Sequence, residues 1–191
     1  MFLSVFDMFK VGIGPSSSHT MGPMVAAKRF LQSLKNSPFN YSGVRVTLYG
    51  SLAFTGKGHA TDRAVILGLA NFSPDTYDPL ASEKAIQSIT EEKFIRSDDL
   101  GDLSFDPQKD LKFDYGPPLS GHPNGIIFTG LDDRGDTLFQ ETYYSIGGGF
   151  VLTSDELAAG KDKDEGPEVP FPFSSAEELS LIHISEPTRR I

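Results

Sequence analysis

Residues 44–71, VRVTLYGSLAFTGKGHATDRAVILGLAN, run from an alternating segment through a glycine-bearing connection into a helix-forming segment, and that order decides the fold class. Val44, Val46 and Leu48 alternate with Arg45, Thr47 and Tyr49, a period of two that predicts a strand over Val44–Tyr49 with one buried face. Gly50 to Gly58 reads as a loop. From about His59 to Asn71 the chain is rich in helix formers, with Ala64, Leu67 and the Val65/Leu69 pair available to a core.

Upstream, Met24, Ala27, Leu31 and Leu34 recur at helical spacing, with Lys28, Arg29, Gln32 and Lys35 mostly off that face, so a helix is expected over 21–34. Thr20 or Ser18 is placed to cap it, and Pro23 fits a first turn where a missing N–H costs nothing. Downstream, Phe72 to Pro118 carries prolines and acidic pairs and reads mostly as an excursion, with a small helix near Glu83–Ile89. Gly125–Thr129 and Thr137–Tyr144 are strand-like and flank the turn-forming Asp132–Asp136, which predicts an antiparallel pair; Lys112–Tyr115 is a weaker strand. The pattern as a whole is α+β: a two-layer domain of helix, strand and helix followed by three strands in a mixed sheet.

The 191 residues suit one domain with appendages, and 19 glycines and 13 prolines require long connections. A net charge of −9 with no basic cluster among aromatics argues against a nucleic-acid partner. No apolar run approaches the roughly 18 residues of a membrane span, and MFLSVFDMFK carries charge too early for a secretory signal, so no membrane association and a cytoplasmic location are expected. The domain is expected over 1–155 and a charged linker over 156–170; 171–180, with Ser174 or Ser175 at capping-box spacing, opens a further helix. Residues 181–191, His183 among them, read as a non-native tail such as an assembly or adapter scar.

Three stretches invite chemistry. GSLAFTGKGH resembles a phosphate loop in place but not in spacing, since five residues separate Gly50 from Gly56 and Gly58 follows Lys57 where Ser or Thr is required. Ser16, Ser17, Ser18, His19 and Thr20 gather hydroxyls at a helix start, which suits a small carboxylate; the plain alternative is one capping serine among solvated ones. His59, read as opening a helix, would be kept neutral by the helix dipole and able to accept a proton, or would be an ordinary helix-end residue; Lys57 beside it could pair with a carboxylate or be solvated. The three glycines of Ser145–Phe150 permit either close approach of a ligand or a loose strand end, and HPNG at 122–125 reads as a turn.

In this order, SVFDMFKVGIGPSSSHTMGPM, VTLYGSLAFTGKGHATD, HPNG, TYYSIGGGF and PFPFSSAEEL resemble the N-terminal portion of the single-chain iron-sulfur L-serine dehydratases, or L-serine ammonia-lyases, from about Leu3 to about Leu179. The resemblance implies the serine dehydratase beta domain, akin to the allosteric substrate-binding domain of some phosphoglycerate dehydrogenases. It implies conversion of L-serine to pyruvate and ammonia without pyridoxal phosphate, with a [4Fe-4S] cluster acting as Lewis acid on the substrate hydroxyl. Within it, His59 is the expected catalytic base, Ser16, Ser17, Ser18, His19 and Thr20 position the substrate, and Lys57 assists by charge. The cluster cysteines belong to a C-terminal catalytic domain, and this sequence has no cysteine, so the chain alone is expected to be a truncated, inactive part of a homo-oligomeric enzyme. The other reading is an allosteric module that binds serine and does no chemistry. On the catalytic reading, the two loop-to-helix junctions must face a common site.

Overall fold

A computed structural model describes Gly14, residues 16–159, 175–178 and residue 180; most of the expected linker, residues 171–174 and the whole tail lie outside the described residues, while residues 176–178 form the expected helical turn, capped by Ser175 Oγ, which accepts from the Glu178 N–H at 3.1 Å. The chain forms helix α1 (Met21–Lys35), strand β1 (Gly43–Tyr49), short helix α2 (Ser51–Thr55) and helix α3 (Thr61–Leu69). A 3-10 turn (Pro74–Thr76) leads to α4 (Pro79–Glu92), then β2 (Phe94–Ser97), β3 (Gly101–Ser104) and β4 (Leu111–Asp114). Strands β5 (Gly125–Leu131), β6 (Thr137–Gly147) and β7 (Phe150–Thr153) and helix α5 (Ser154–Ala158) complete the domain.

The sheet runs β2-β3-β1-β5-β6-β7, with β4 also pairing β1. Strand β1 is its centre. It lies parallel to β3 and β4 on one edge and antiparallel to β5 on the other, so the sheet is mixed, as expected from the sequence. Val44, Val46 and Leu48 are fully buried, while Arg45, Thr47 and Tyr49 look to the open face. One face is therefore covered by helices, the two-layer arrangement of an α+β domain.

Met24, Ala27, Leu31 and Leu34 of α1 are buried as their spacing predicts, but so are Ala26 and Phe30. The stripe is wider than the periodicity suggests because α1 meets two neighbours. It packs on β5, β6 and β7 and crosses α3 as well. Phe30 stacks on Phe128 with ring centroids 5.1 Å apart. The α1–α3 crossing is close: a side chain at Gly68 would come within 2.3 Å of the Met24 carbonyl.

Residues 72–118 are far more ordered than an excursion. Asp78 caps α4 by accepting from the Ala81 N–H at 2.6 Å, and α4 is twice the length expected from Glu83–Ile89. Beyond Ile89 of α4 itself, each of the short strands that follow is pinned by one apolar anchor, Ile95, Leu103 or Leu111, with Phe105 just after β3, all buried. With strands of four residues there is too little repeat for a period to register.

Arg29 closes the domain at its C-terminal end. Its guanidinium donates to the Val151 carbonyl and to Glu156, both at 2.8 Å, and lies 5.6 Å from the centre of the Tyr143 ring. Burial alone would raise the Glu156 carboxyl; the Thr153 N–H and Arg29 outweigh it and hold it below the usual carboxylate range. No described helix is long and apolar enough to cross a membrane.

Candidate functional site

The two junctions singled out in the sequence meet. Residues Ser16–Thr20 form the turn leading into α1, and residues 56–60 form the turn between α2 and α3; the rings of His19 and His59 lie face against face across the gap, centroids 4.8 Å apart and tilted by 36°. Three hydrogen bonds hold the first junction. Thr61 Oγ1 donates to the His19 carbonyl at 2.7 Å, Ser145 Oγ to the Ser18 carbonyl at 2.8 Å, and the Gly148 N–H to Ser17 Oγ at 3.1 Å.

The expected cap on α1 is not made. Thr20 Oγ1 donates back to the Ser16 carbonyl at 2.7 Å, and the Ser18 hydroxyl turns to His19 instead. The reason lies in the donors. Gly22 N–H already bonds the Ser17 carbonyl, Met24 N–H bonds the Thr20 carbonyl, and Pro23 has none, so little is left for a cap to satisfy. Side-chain hydroxyls, rather than the helix N-terminus, are therefore the polar groups this junction offers.

His59 does not open a helix either. Helix α3 starts at Thr61 after Ala60, which takes a left-handed conformation with φ of 58°, and the His59 N–H bonds the Thr55 and Gly56 carbonyls. The dipole argument for its protonation thus falls, and a local contact replaces it. Nδ1 of His59 lies 2.9 Å from the Thr55 carbonyl oxygen, which only accepts, so Nδ1 carries a proton, and Nε2 has no hydrogen-bond partner among the described residues.

His19 is held from both sides. Nδ1 faces Ser18 Oγ at 2.9 Å and Ser16 Oγ at 3.3 Å, and Nε2 faces Ser51 Oγ at 3.0 Å. Burial lowers its proton affinity below the ordinary histidine value, the neighbouring His59 lowers it further, and the contact with Ser51 opposes both. His19 is accordingly neutral at pH 7.

Lys57 is exposed, with its ammonium 5.5 Å from the centre of the Phe113 ring. The Gly50–Gly58 segment is not an open loop: α2 occupies it, and a Cβ on Gly56 would come within 2.0 Å of the Leu52 carbonyl. That packing leaves no cradle for a phosphate. The three glycines at the end of β6 do require their residue type, since Gly147, Gly148 and Gly149 have φ of 99°, 61° and 78°. They turn the chain so that Gly148 reaches Ser17.

Sequence reasoning missed Ser51, Ser145 and Thr61 as members of the cluster. Thr61 and Ser145 are fully buried hydroxyls, a class that needs partners. Nothing local in the sequence told Ser51 apart from any other residue in a glycine-bearing connection. The HPNG turn also has a part, because the Asn124 amide donates to the Ser145 carbonyl and its own carbonyl accepts from the Ser145 N–H, both at 3.0 Å.

The site combines a neutral, buried imidazole, a second imidazole whose Nε2 has no partner among the described residues, and hydroxyls from the 16–20 turn, Ser51, Thr61 and Ser145. Such a set can hold a small polar molecule by hydrogen bonds and take a proton from it. Comparison with known proteins gives the family. Residues 4–156 match the family described as serine dehydratase beta chain. The chain is 41% identical over 176 residues to the L-serine dehydratase of Helicobacter pylori, covering 92% of this chain and 38% of that protein. It is 42% identical over 188 residues to the L-serine dehydratase of Haemophilus influenzae (96% and 40%) and 44% identical over 181 residues to L-serine dehydratase 2 of Escherichia coli (93% and 39%). The chain thus spans about two fifths of the length of the curated relatives it matches. With the match running through both junctions, the sheet and the triple glycine alike, the chain belongs to the serine dehydratase beta chain family.

Proposed function

We propose that this chain is the substrate-facing beta part of an L-serine dehydratase and that its two histidine-bearing junctions receive L-serine. The observation that carries the reading is the Nδ1 contact of His59 to Thr55, which leaves Nε2 without a partner among the described residues, in a site where His19 and the hydroxyls of Ser16, Ser18 and Ser51 converge. Loss of water from serine to give pyruvate and ammonia begins with removal of the Cα proton. His59 Nε2 accepts that proton, a step for which a well-placed base contributes about 10²–10⁴-fold. A neutral His19 matters here, because a charged one would disfavour the imidazolium that forms. Ser16, Ser17, Ser18, His19 and Thr20 hold the carboxylate or amino group, and Lys57 adds positive charge nearby.

The residues present do not fit a [4Fe-4S] cluster: the sequence has no cysteine, and the described residues include no group of three His, Cys, Asp or Glu able to hold a metal. We therefore assign the cluster to the part of the relatives' length that this chain does not span. The chain by itself is inactive on this reading.

A test is an enzyme of the relatives' full length carrying this domain with His59→Ala. Turnover should fall 10²-fold or more while serine affinity stays within a few-fold. Unchanged turnover would instead make the domain a serine-sensing module, which needs the hydroxyls but has no use for a base.

A further inference from the structure

The HPNG turn at 122–125 reaches both sides of the site through hydrogen bonds whose direction is fixed, because a carbonyl only accepts. On one side the N–H of Ser51, the first residue of α2, donates to the Pro123 carbonyl at 2.9 Å. Gly50 before it has φ of 55° and passes so close that a Cβ there would stand 2.2 Å from the same carbonyl oxygen. On the other side Asn124 holds Ser145, whose Oγ donates to the Ser18 carbonyl at 2.8 Å. His19 lies where the two routes meet: it follows Ser18 in the chain, and its Nε2 is 3.0 Å from Ser51 Oγ.

The residue type at 124 follows from the ladder. Strands β5 and β6 pair as far as Gly125 with Tyr144, and in a regular antiparallel ladder the next two residues, Asn124 and Ser145, would exchange two backbone hydrogen bonds. Only one is made, from the Ser145 N–H to the Asn124 carbonyl at 3.0 Å. The Asn124 N–H is turned onto Nδ1 of His122 at 3.1 Å, which closes the turn, and the side-chain amide takes its place, donating from Nδ2 to the Ser145 carbonyl at 3.0 Å. Ser145 is fully buried, so without that amide its carbonyl would be left inside the protein unpaired.

We propose that Asn124 is a positioning residue: by standing in for the missing ladder bond it fixes Ser145, whose hydroxyl sets the Ser16–Thr20 turn, and His19 with it, against α2. This deepens the proposed function, since its consequence for serine rests on that site receiving the substrate.

Spectra of the ¹⁵N-labelled 191-residue chain, recorded without and with L-serine, test this. Asn124→Asp keeps the shape of the side chain and removes its donor; Ser145→Ala removes the hydroxyl further along the same route. Without serine, each should move the amide signals of Ser16–Thr20 and the ring signals of His19, and the double variant should move them no further than Ser145→Ala does. With serine, either single variant should bind about five- to tenfold more weakly, and the double variant no more weakly than that. Asp78→Ala, which removes the cap of α4, controls for lost stability: it should lower the melting temperature and leave the His19 signals in place. Unmoved His19 signals in Asn124→Asp, effects that add in the double variant, or signals that move as far in Asp78→Ala overturn the proposal. Where the variants do not fold, the unaltered chain still decides, because a coupling across the hydrogen bond from the Asn124 side-chain nitrogen to the Ser145 carbonyl carbon should be seen beside those of the β5–β6 ladder, and its absence there overturns the proposal as well. A chain that ignores serine would fail the proposed function alone, since the spectra without serine judge Asn124 by themselves.

Discussion

Gly22→Ala is the substitution through which the packing of α1 and the geometry of the site can be tested together. A Cβ at Gly22 would stand 1.9 Å from Ser145 Oγ and 2.8 Å from Ser145 Cβ. Ser145 cannot retreat, because both its backbone N–H and its carbonyl are bonded to Asn124. The hydroxyl must rotate away and give up its bond to the Ser18 carbonyl. Leaving that carbonyl unpaired costs about 1–3 kcal/mol. Overpacking against Ser145 Cβ adds about 1–3 kcal/mol, and the better helix propensity of alanine returns at most about 1 kcal/mol. The net loss of about 1–6 kcal/mol corresponds to a drop of roughly 2–24 °C in melting temperature for a chain of this size. Thermal unfolding followed by circular dichroism measures it. Ser145→Gly removes both clashing atoms, so Gly22→Ala in that background should cost about 1 kcal/mol or less, giving a coupling of more than about 1 kcal/mol between the two positions. A melting temperature within a degree of the unaltered chain, or the same cost in both backgrounds, would refute the packing described here.

Three further outcomes are expected. His19 has its proton affinity lowered on folding, so the unfolded chain binds the extra proton first as pH falls; stability should decline from pH 6.5 downward by at most about 1.4 kcal/mol per pH unit, and His19→Asn should flatten that decline in denaturant titrations kept above pH 5. Arg29→Ala removes two hydrogen bonds and the stacking on Tyr143, and should cost about 1–2 kcal/mol, seen as a lower urea midpoint at unchanged slope; Arg29→Lys should recover only part of it. Lys57→Gln should weaken serine binding no more than about five-fold and make it less salt-dependent, measured by calorimetry at two salt concentrations, since the ammonium is exposed and rests on Phe113.

Strand β1, the buried face of α1 and the β5–β6 hairpin were legible because each runs long enough for its period to register. The anchors of β2, β3 and β4 come one to a strand, so their burial shows only once the sheet is assembled. In the site, the residue types were readable and the reasons for them were not. His59 was singled out as a helix-start imidazole, yet the partner of its ring is a carbonyl four residues back. The serine run suggested a capped helix offering its N–H groups, yet Pro23 and the Gly22 bond to Ser17 remove those groups and leave the hydroxyls to face the rings. Ser51 and Ser145 enter through contacts across 32 and 127 residues of sequence, separations at which no local pattern can point.

The most direct measurement is a titration of the ¹⁵N-labelled chain with L-serine, followed by amide and histidine-ring shifts. Saturable changes concentrated on Ser16–Thr20, Ser51, His59 and Gly148 are expected, with little movement on β2 and β3 at the far edge of the sheet. No response to serine, or one confined to that far edge, would contradict the claim that the two histidine-bearing junctions form a single substrate-receiving site.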